Sequence, residues 1–185
     1  MMNKTSMKLK FSMAIVLLTA SLFVLFSNLT IVRANNNLHD DPVRVITNTI
    51  VDLDNNYIIA GQTSNNNIYI SKYDSSGQVL WEHFMGGSGF DIVETIQVDG
   101  FNNLIIVGET SSSDFVVDQN AIQSKYGGKG DIFVVQISSS GIVKWGTYFG
   151  GSRRDQFLPY TDGILVSENS QITIWGITYS YDLQV

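Results

Sequence analysis

The sequence contains no cysteine and only two histidines, His39 and His83. Without disulfides, the folded part must take its stability from packing and hydrogen bonds. The two histidines do not form a pair, and no thiolate is present to join them. A zinc or copper centre would therefore have too few of its usual ligands.

Basic residues are scarce after the first 34 positions. Beyond that point the chain carries 7 lysines and arginines against 17 aspartates and glutamates. A protein that binds a nucleic-acid backbone needs the opposite balance. Nucleic acid is thus not an expected partner, and the negative charge favours solubility.

Long apolar runs are absent except for the uncharged residues 11–32. Lysines precede this run, and Val32-Arg33-Ala34 supplies small residues at the −3 and −1 positions of a cleavage site. The pattern predicts a signal peptide over residues 1–34 and a flexible leader over residues 35–42. A run of this length can also span a bilayer, so an uncleaved signal-anchor helix is the alternative. Either way we expect an extracellular or cell-surface protein that touches the membrane only through residues 11–32, if these are retained.

Catalytic motifs are also lacking. Ser88 is followed by Gly89 and Phe90, so the stretch does not fit a Gly-x-Ser-x-Gly nucleophile elbow. The glycine-rich stretches 86–89 and 126–130 do not match a phosphate-binding loop. No nucleophile, base and orienting group can be assembled from the spacing, so the sequence gives no support for an enzyme.

What the sequence does contain is an internal repeat. Shifting residues 51–64 by 47 positions places them on residues 98–111, with nine of fourteen positions identical. A second stretch, residues 67–91, matches residues 131–155 at an offset of 64. The second copy therefore carries a 17-residue insertion within about residues 112–130. Such self-similarity is the signature of a repeat architecture.

Each copy has the pattern of short strands. Brief apolar runs such as Leu104-Ile105-Ile106-Val107 are rich in β-branched residues and are closed by glycine. Asp-x-x-Asn-Asn precedes two of these runs, and Ser-Ser-Gly follows the next strand, as expected for tight turns. The pattern predicts an all-β protein of tandem four-stranded antiparallel blades, an incomplete β-propeller after the N-terminal signal or anchor helix. The predicted blades cover residues 43–87 and 90–151, and residues 155–185 give part of a third.

The second copy resembles the bacterial and archaeal SBBP β-propeller repeat. The residues that carry this resemblance are Phe115, Ala121, Gln123, Tyr126-Gly127-Gly128, Asp131, Phe133-Val134, Gly150-Gly151-Ser152 and Asp155. The resemblance implies a propeller fold on an exported protein and no catalytic residues. Because propellers close with four or more blades, we expect a fragment whose ring is completed by further blades of the same or another chain.

Recurring residues are interpreted as structural. The glycines and tryptophans that recur are best explained by turns and by packing between blades. They are Gly61, Gly108 and Gly176 in the strands, Trp81 and Trp145 on the last strand of each blade, and Gly86, Gly87, Gly150 and Gly151 between blades.

One weak metal candidate remains. Asp52, Asp54 and Asn56 have the alternating oxygens of a calcium loop. The glycine and the distal glutamate of a full loop are missing, so a turn is favoured over calcium, and no other cofactor is expected.

The function predicted from these patterns is a non-catalytic, exported propeller module that acts as a binding scaffold or spacer. Function in such proteins resides on variable loops, so the insertion at residues 112–130 is the expected contact surface for a protein or carbohydrate ligand. Two alternatives remain open. One is a propeller enzyme whose active site lies on further blades, and the other is a membrane-anchored receptor ectodomain.

Overall fold

The computed structural model describes residues 22–25, 30–33, 43–115, 117–118, 121–158 and 163–183. Within these ranges all regular secondary structure is β-strand, which confirms the predicted all-β class. No helix among them is long and apolar enough to cross a membrane.

Of the predicted signal or anchor helix, the structure describes residues 22–25 and 30–33, and these residues are strands. Strands β1 (Leu22–Leu25) and β2 (Thr30–Arg33) pair antiparallel instead. Leucine, valine and phenylalanine suit a strand as well as a helix, so the apolar composition of residues 22–33 does not distinguish the two. The rest of the predicted signal peptide and the leader, residues 1–21, 26–29 and 34–42, lies outside the described residues.

The first sheet consists of β3 (Val43–Val51), β4 (Tyr57–Thr63), β5 (Ile68–Tyr73) and β6 (Val79–Met85). The strands follow one another in an antiparallel meander, in the order of the sequence. Short turns connect them, because the Asp-x-x-Asn and Asp-x-x-Gly segments supply a residue with positive φ, Asn55 at 62° and Gly77 at 85°.

The second sheet repeats this meander with β7 (Asp91–Val98), β8 (Leu104–Thr110), β9 (Asp131–Ile137) and β10 (Val143–Phe149). Its register is that of the first sheet: Ile58 lies opposite Lys72, and their counterparts Ile105 and Gln136 lie opposite each other. The sequence repeat is therefore a repeat of strand register as well.

A third unit follows, built from β11 (Asp155–Phe157), β12 (Ile164–Val166), β13 (Ile172–Ile174) and β14 (Gly176–Thr178). β11 pairs with β14 and β12 pairs with β13, so the four short strands form one antiparallel hairpin whose pairing comes in two segments. The sequence pattern predicted part of a third blade over residues 155–185 and did not resolve these four strands. We call this unit the third hairpin.

Buried side chains join these three units face to face. One hydrophobic cluster combines first-sheet residues such as Ile70 with second-sheet residues such as Ile106. Another combines the opposite face of the second sheet, including Ile105, with Phe157 and Ile164 of the third hairpin. Because consecutive residues of β8 point to opposite faces and both faces are covered, that strand is apolar over most of its length. The architecture is thus tandem four-stranded antiparallel sheets, compatible with a propeller-like repeat.

Glycine is required at one position in the second strand of each sheet and at the equivalent position of the third hairpin. The first strands of both sheets bulge where they pass this glycine, which brings a carbonyl oxygen toward it. A Cβ would overlap that carbonyl oxygen at all three equivalent positions, namely Gly61 with Val45, Gly108 with Ile92 and Gly176 with Gln156.

Candidate functional site

The calcium candidate at residues 52–56 forms a turn whose carboxylate already has partners. Asp52 Oδ1 accepts the backbone N–H groups of Asp54 and Asn56 at 2.9 and 2.8 Å. Its Oδ2 atom lies 2.6 Å from Nζ of Lys72, and both side chains are almost fully buried. Burial acts to raise the pKa of Asp52, but the hydrogen bond and charge of Lys72, with the Asn56 donors, bring the net shift below the usual value. A cation at this carboxylate would have to displace these contacts.

The second sheet builds the same turn with a different partner. Asp99 Oδ1 accepts the N–H groups of Phe101 and Asn103, as Asp52 does in the first sheet. Gln136 donates to Asp99 at 3.1 Å from the position equivalent to Lys72. The hydroxyl of Ser170 in the third hairpin also donates to Asp99.

These turns stack from one unit to the next. Asn102 of the second sheet accepts the N–H of Leu53 at 3.0 Å and donates to Asp54 Oδ2 at 2.7 Å. Likewise, the Ser170 hydroxyl of the third hairpin donates to Asp99 of the second sheet. Of the residues singled out as a metal candidate, Asp54 therefore helps to join the first and second sheets, whereas Asp52 and Asn56 bond to each other within the first sheet.

The Gly-Gly-Ser loops perform the equivalent task at the other end. Asp114 Oδ1 accepts from the backbone N–H of Ser88 at 2.8 Å and from its hydroxyl at 3.0 Å. Asp182 holds Ser152 in the same way, at 3.0 and 2.9 Å. These hydrogen bonds lower the pKa of both aspartates. The second glycine of each loop must lack a side chain, since a Cβ on Gly87 or Gly151 would run into the same aspartate.

The aspartates that begin the next unit lie behind these loops. Asp91 Oδ2 accepts from the N–H of Gly87 and the hydroxyl of Ser112, both at 2.9 Å, and Asp91 Oδ1 accepts from Thr110. Asp155 Oδ2 makes the matching contacts with Gly151 and Ser180. The sequence pattern did not assign a role to these buried carboxylates, although the recurrence of an aspartate at the repeat offset was their visible sign.

The two repeat-equivalent tryptophans have different surroundings. Trp81 donates from Nε1 to the carbonyl of Ser139 at 3.2 Å, and a Cβ on Gly141 would lie 2.7 Å from its Cγ atom. The turn between β9 and β10 therefore covers the Trp81 indole. Trp145 donates instead to Gln136 of its own sheet at 2.8 Å and packs at the margin of the second hydrophobic cluster.

The insertion at residues 112–130 is anchored along the outer edge of β10 and does not project freely from the sheet. The N–H of Asp118 donates to the carbonyl of Gly146, and the N–H of Tyr148 donates to the carbonyl of Gln123. Phe115 stacks on Phe133 with ring centroids 4.6 Å apart. The insertion therefore covers the edge of the second sheet, which protects its strand from further pairing.

A cleft of about 310 Å³ lies where the insertion meets β10. Its apolar wall includes Trp145, Ala121 and Ile122, and the Ile122 side chain is 80% exposed. Asp118, Gly146 and Thr147 complete the lining. Sequence reasoning placed Trp145 in the packing and the insertion on the surface, and the structure brings the two together.

The other residues considered for catalytic or metal chemistry are His83 and Ser88. His83 Nε2 lies 2.6 Å from the carbonyl of Gly141, in the contact between the first and second sheets. Ser88 is held by Asp114 as described. Among the described residues, no three His, Cys, Asp or Glu side chains are grouped so that they could hold a metal ion.

No protein-family model matches the sequence, and no curated protein matches it with significant similarity.

Proposed function

We propose that this chain is a non-catalytic module of an exported β-propeller protein of the SBBP type, and that it serves as a binding scaffold. Tandem four-stranded sheets packed face to face support the propeller interpretation. The ring is completed by further blades, and the basic and apolar N-terminal segment directs export, with cleavage near Ala34.

The observation that carries the binding role is the contrast between the insertion and the rest of the repeat. The recurring polar residues are occupied in turns and in contacts between units, as Asn102 shows in its bonds to Leu53 and Asp54 of the first sheet. The insertion has no counterpart in the first sheet and combines an exposed apolar side chain with the cleft beside Trp145. An indole wall next to the Asp118 carboxylate suits a carbohydrate, because the indole face stacks on sugar rings while a carboxylate accepts hydrogen bonds from sugar hydroxyls.

Substitution at the rim of the cleft tests this role. We expect Ile122→Ser to weaken binding to an array of bacterial cell-surface oligosaccharides about tenfold, since it removes apolar contact area beside the cleft. Ile142→Ser is the matched control, because Ile142 is also exposed, at 67%, but lies in the turn between β9 and β10, away from the cleft lining.

Circular dichroism of both variants should be unchanged, since neither side chain is buried. Equal loss of binding in the two variants would contradict the placement of the contact surface. No binding of the parent chain to the oligosaccharide array would contradict the carbohydrate ligand.

A further inference from the structure

The junction between the second sheet and the third hairpin contains two buried carboxylates that face the same glycine. Asp131, at the start of β9, is fully buried, and Asp155, at the start of β11, is 2% exposed. A Cβ on Gly150 would lie 2.6 Å from Asp131 Oδ1 and 2.9 Å from Asp155 Oδ2. Both side chains therefore approach the same point on the loop that joins the two units.

Each carboxylate has one satisfied oxygen and one without a partner. Asp131 Oδ2 accepts from the N–H of Gly127 at 2.7 Å and from Gln123 at 3.1 Å. Asp155 Oδ2 accepts from the N–H of Gly151 and the hydroxyl of Ser180. The Oδ1 atoms of both residues are buried and have no hydrogen-bond partner. An unpartnered buried carboxylate oxygen is costly, and two at one junction call for a compensating group.

No cationic side chain provides that compensation. Among the described residues the ion pairs are Lys72 with Asp52 and Arg154 with Glu109. The titratable groups around the junction include Tyr126 of the insertion and Tyr148 of β10, with Asp91 and Asp114 farther along the network. Asp182 lies beside Gly151, and the charge of Arg153 acts on Asp182. These tyrosines and aspartates bring no positive charge to the pair.

The junction between the first and second sheets, which we call the first junction, has the same geometry with one carboxylate fewer. Asn67 occupies the position of Asp131, and Asp91 occupies that of Asp155, with Gly86 between them. Both oxygens of Asp91 are satisfied there, by Thr110 on one side and by Gly87 and Ser112 on the other. Asn67 Oδ1 is also buried without a partner, so the two junctions differ in charge: the neutral amide of Asn67 does not repel Asp91, and the first junction is the reference for that repulsion.

We propose that Asp131 holds a proton in the folded junction, and that loss of this proton at rising pH loosens the third hairpin from the second sheet. A proton fits better than a metal ion because calcium requires six or more oxygens, whereas the Oδ2 atoms here already accept N–H and O–H donors. Burial raises the pKa of Asp131 above its usual value, and the Asp155 charge adds to the rise, although the Gly127 and Gln123 donors oppose it.

The direction of the pH effect follows from this upward shift. A carboxyl with a higher pKa in the docked state than in the open state stabilises docking fully below the open-state value of about 3.9. That stabilisation is lost as the pH rises through the docked-state pKa. Across this window the opening constant of the hairpin should increase by up to about tenfold per pH unit, as one bound proton requires.

Hydrogen exchange of the full chain between about pH 4 and 8, corrected for intrinsic rates, measures this opening. We expect amides of residues 163–183 to lose protection as the pH rises, with amides of β4 and β5 as the internal reference. In Asp131→Asn, which copies Asn67, protection of the hairpin should be independent of pH. In Asn67→Asp, a pH dependence should appear at the first junction, so the idea stays testable if the first variant fails to fold.

Three results would overturn the proposal. One is an Asp131 carboxyl that titrates in carbon-13 NMR at or below the usual aspartate value. Another is a difference in hairpin protection between Asp131→Asn and the parent chain that is the same at every pH, which would indicate a purely steric role. The third is that millimolar calcium chloride at neutral pH protects the hairpin amides from exchange in the parent chain but not in Asp131→Asn. That result would mean that a cation, and not a proton, compensates the two carboxylates.

Discussion

Single residues in this chain act mainly at the contacts between units. The buried pair of Asp52 and Lys72 shows how: Lys72 neutralises the turn of the first sheet and also donates to the carbonyl of Ser139 in the second sheet, at 3.0 Å. In the equivalent pair, Gln136 donates to Asp99 without a cation. The repeat thus tolerates either an ion pair or an amide at this position, provided that the carboxylate keeps a donor.

Removal of the donor should be far more damaging than its exchange. We expect Lys72→Met to cost about 3–5 kcal/mol in the free energy of unfolding, because it leaves the Asp52 carboxylate buried without a counter-charge. Lys72→Gln, which copies Gln136, should cost less than half as much. Urea unfolding at neutral pH measures both values, and equal losses would show that the donor is not what matters.

The same pair sets an acid limit on stability. Because the pKa of Asp52 is lowered in the fold, its contribution is present above the unfolded value of about 3.9 and is lost as the pH falls through the folded value. Lys72→Met removes the largest cause of that lowering. Urea unfolding over a range of pH should therefore show the variant differing from the parent most at neutral pH and least in strong acid.

At the scale of the element, the positions of the hairpin turns could be predicted from the sequence, but their packing contacts could not. Asp-x-x-Gly and Ser-x-x-Gly indicate tight turns by local chemistry, and both have the expected left-handed glycine, at φ 85° for Gly77 and 89° for Gly141. Only the structure shows that the Gly141 turn packs on Trp81 of the preceding sheet. The hydrogen bond from Trp81 to Ser139 in that contact spans 58 positions, and no local pattern encodes it.

A matched pair of glycine substitutions separates the turn from its docking. Gly77→Ala should cost about 1–2 kcal/mol, the strain of a left-handed residue with a Cβ. Gly141→Ala should cost a further 1–3 kcal/mol or so, since its methyl group would also collide with the Trp81 indole. Thermal unfolding of the two variants gives the difference, and equal costs would mean that the second-sheet turn does not press on the first sheet.

The insertion and the third hairpin mark the limits of sequence reasoning at this scale. The length of the insertion followed from the two repeat offsets. Its attachment to β10 depends on backbone hydrogen bonds such as that from Asp118 to Gly146, which side-chain patterns do not reveal. The pairing of β11 with β14 and of β12 with β13 was not predicted, because the sequence repeat indicated only that part of a third blade lies here.

For the whole molecule, the sequence predicted tandem four-stranded sheets because strand period, turn chemistry and repeat offset agreed with one another. Both faces of the second sheet are buried, one by the first sheet and one by the third hairpin, so each unit stabilises its neighbours. The buried junction at Asp131 and Asp155 could not be predicted, since it depends on how two units meet in space. The cleft proposed as a ligand site likewise emerges only where the insertion and Trp145 come together.

The most direct test of the stacked arrangement uses the absence of native cysteine, so that introduced thiols are the only ones present. The double variant Asp54→Cys with Asn102→Cys places thiols at two positions whose side chains are hydrogen-bonded between adjacent units. The double variant Asp54→Cys with Ser170→Cys places them in the first sheet and in the third hairpin, which are two units apart. Under mild oxidation we expect the first pair to form an intramolecular disulfide and the second to stay reduced. A disulfide between positions 54 and 170, with none between 54 and 102, would contradict the stacking of these sheets in chain order.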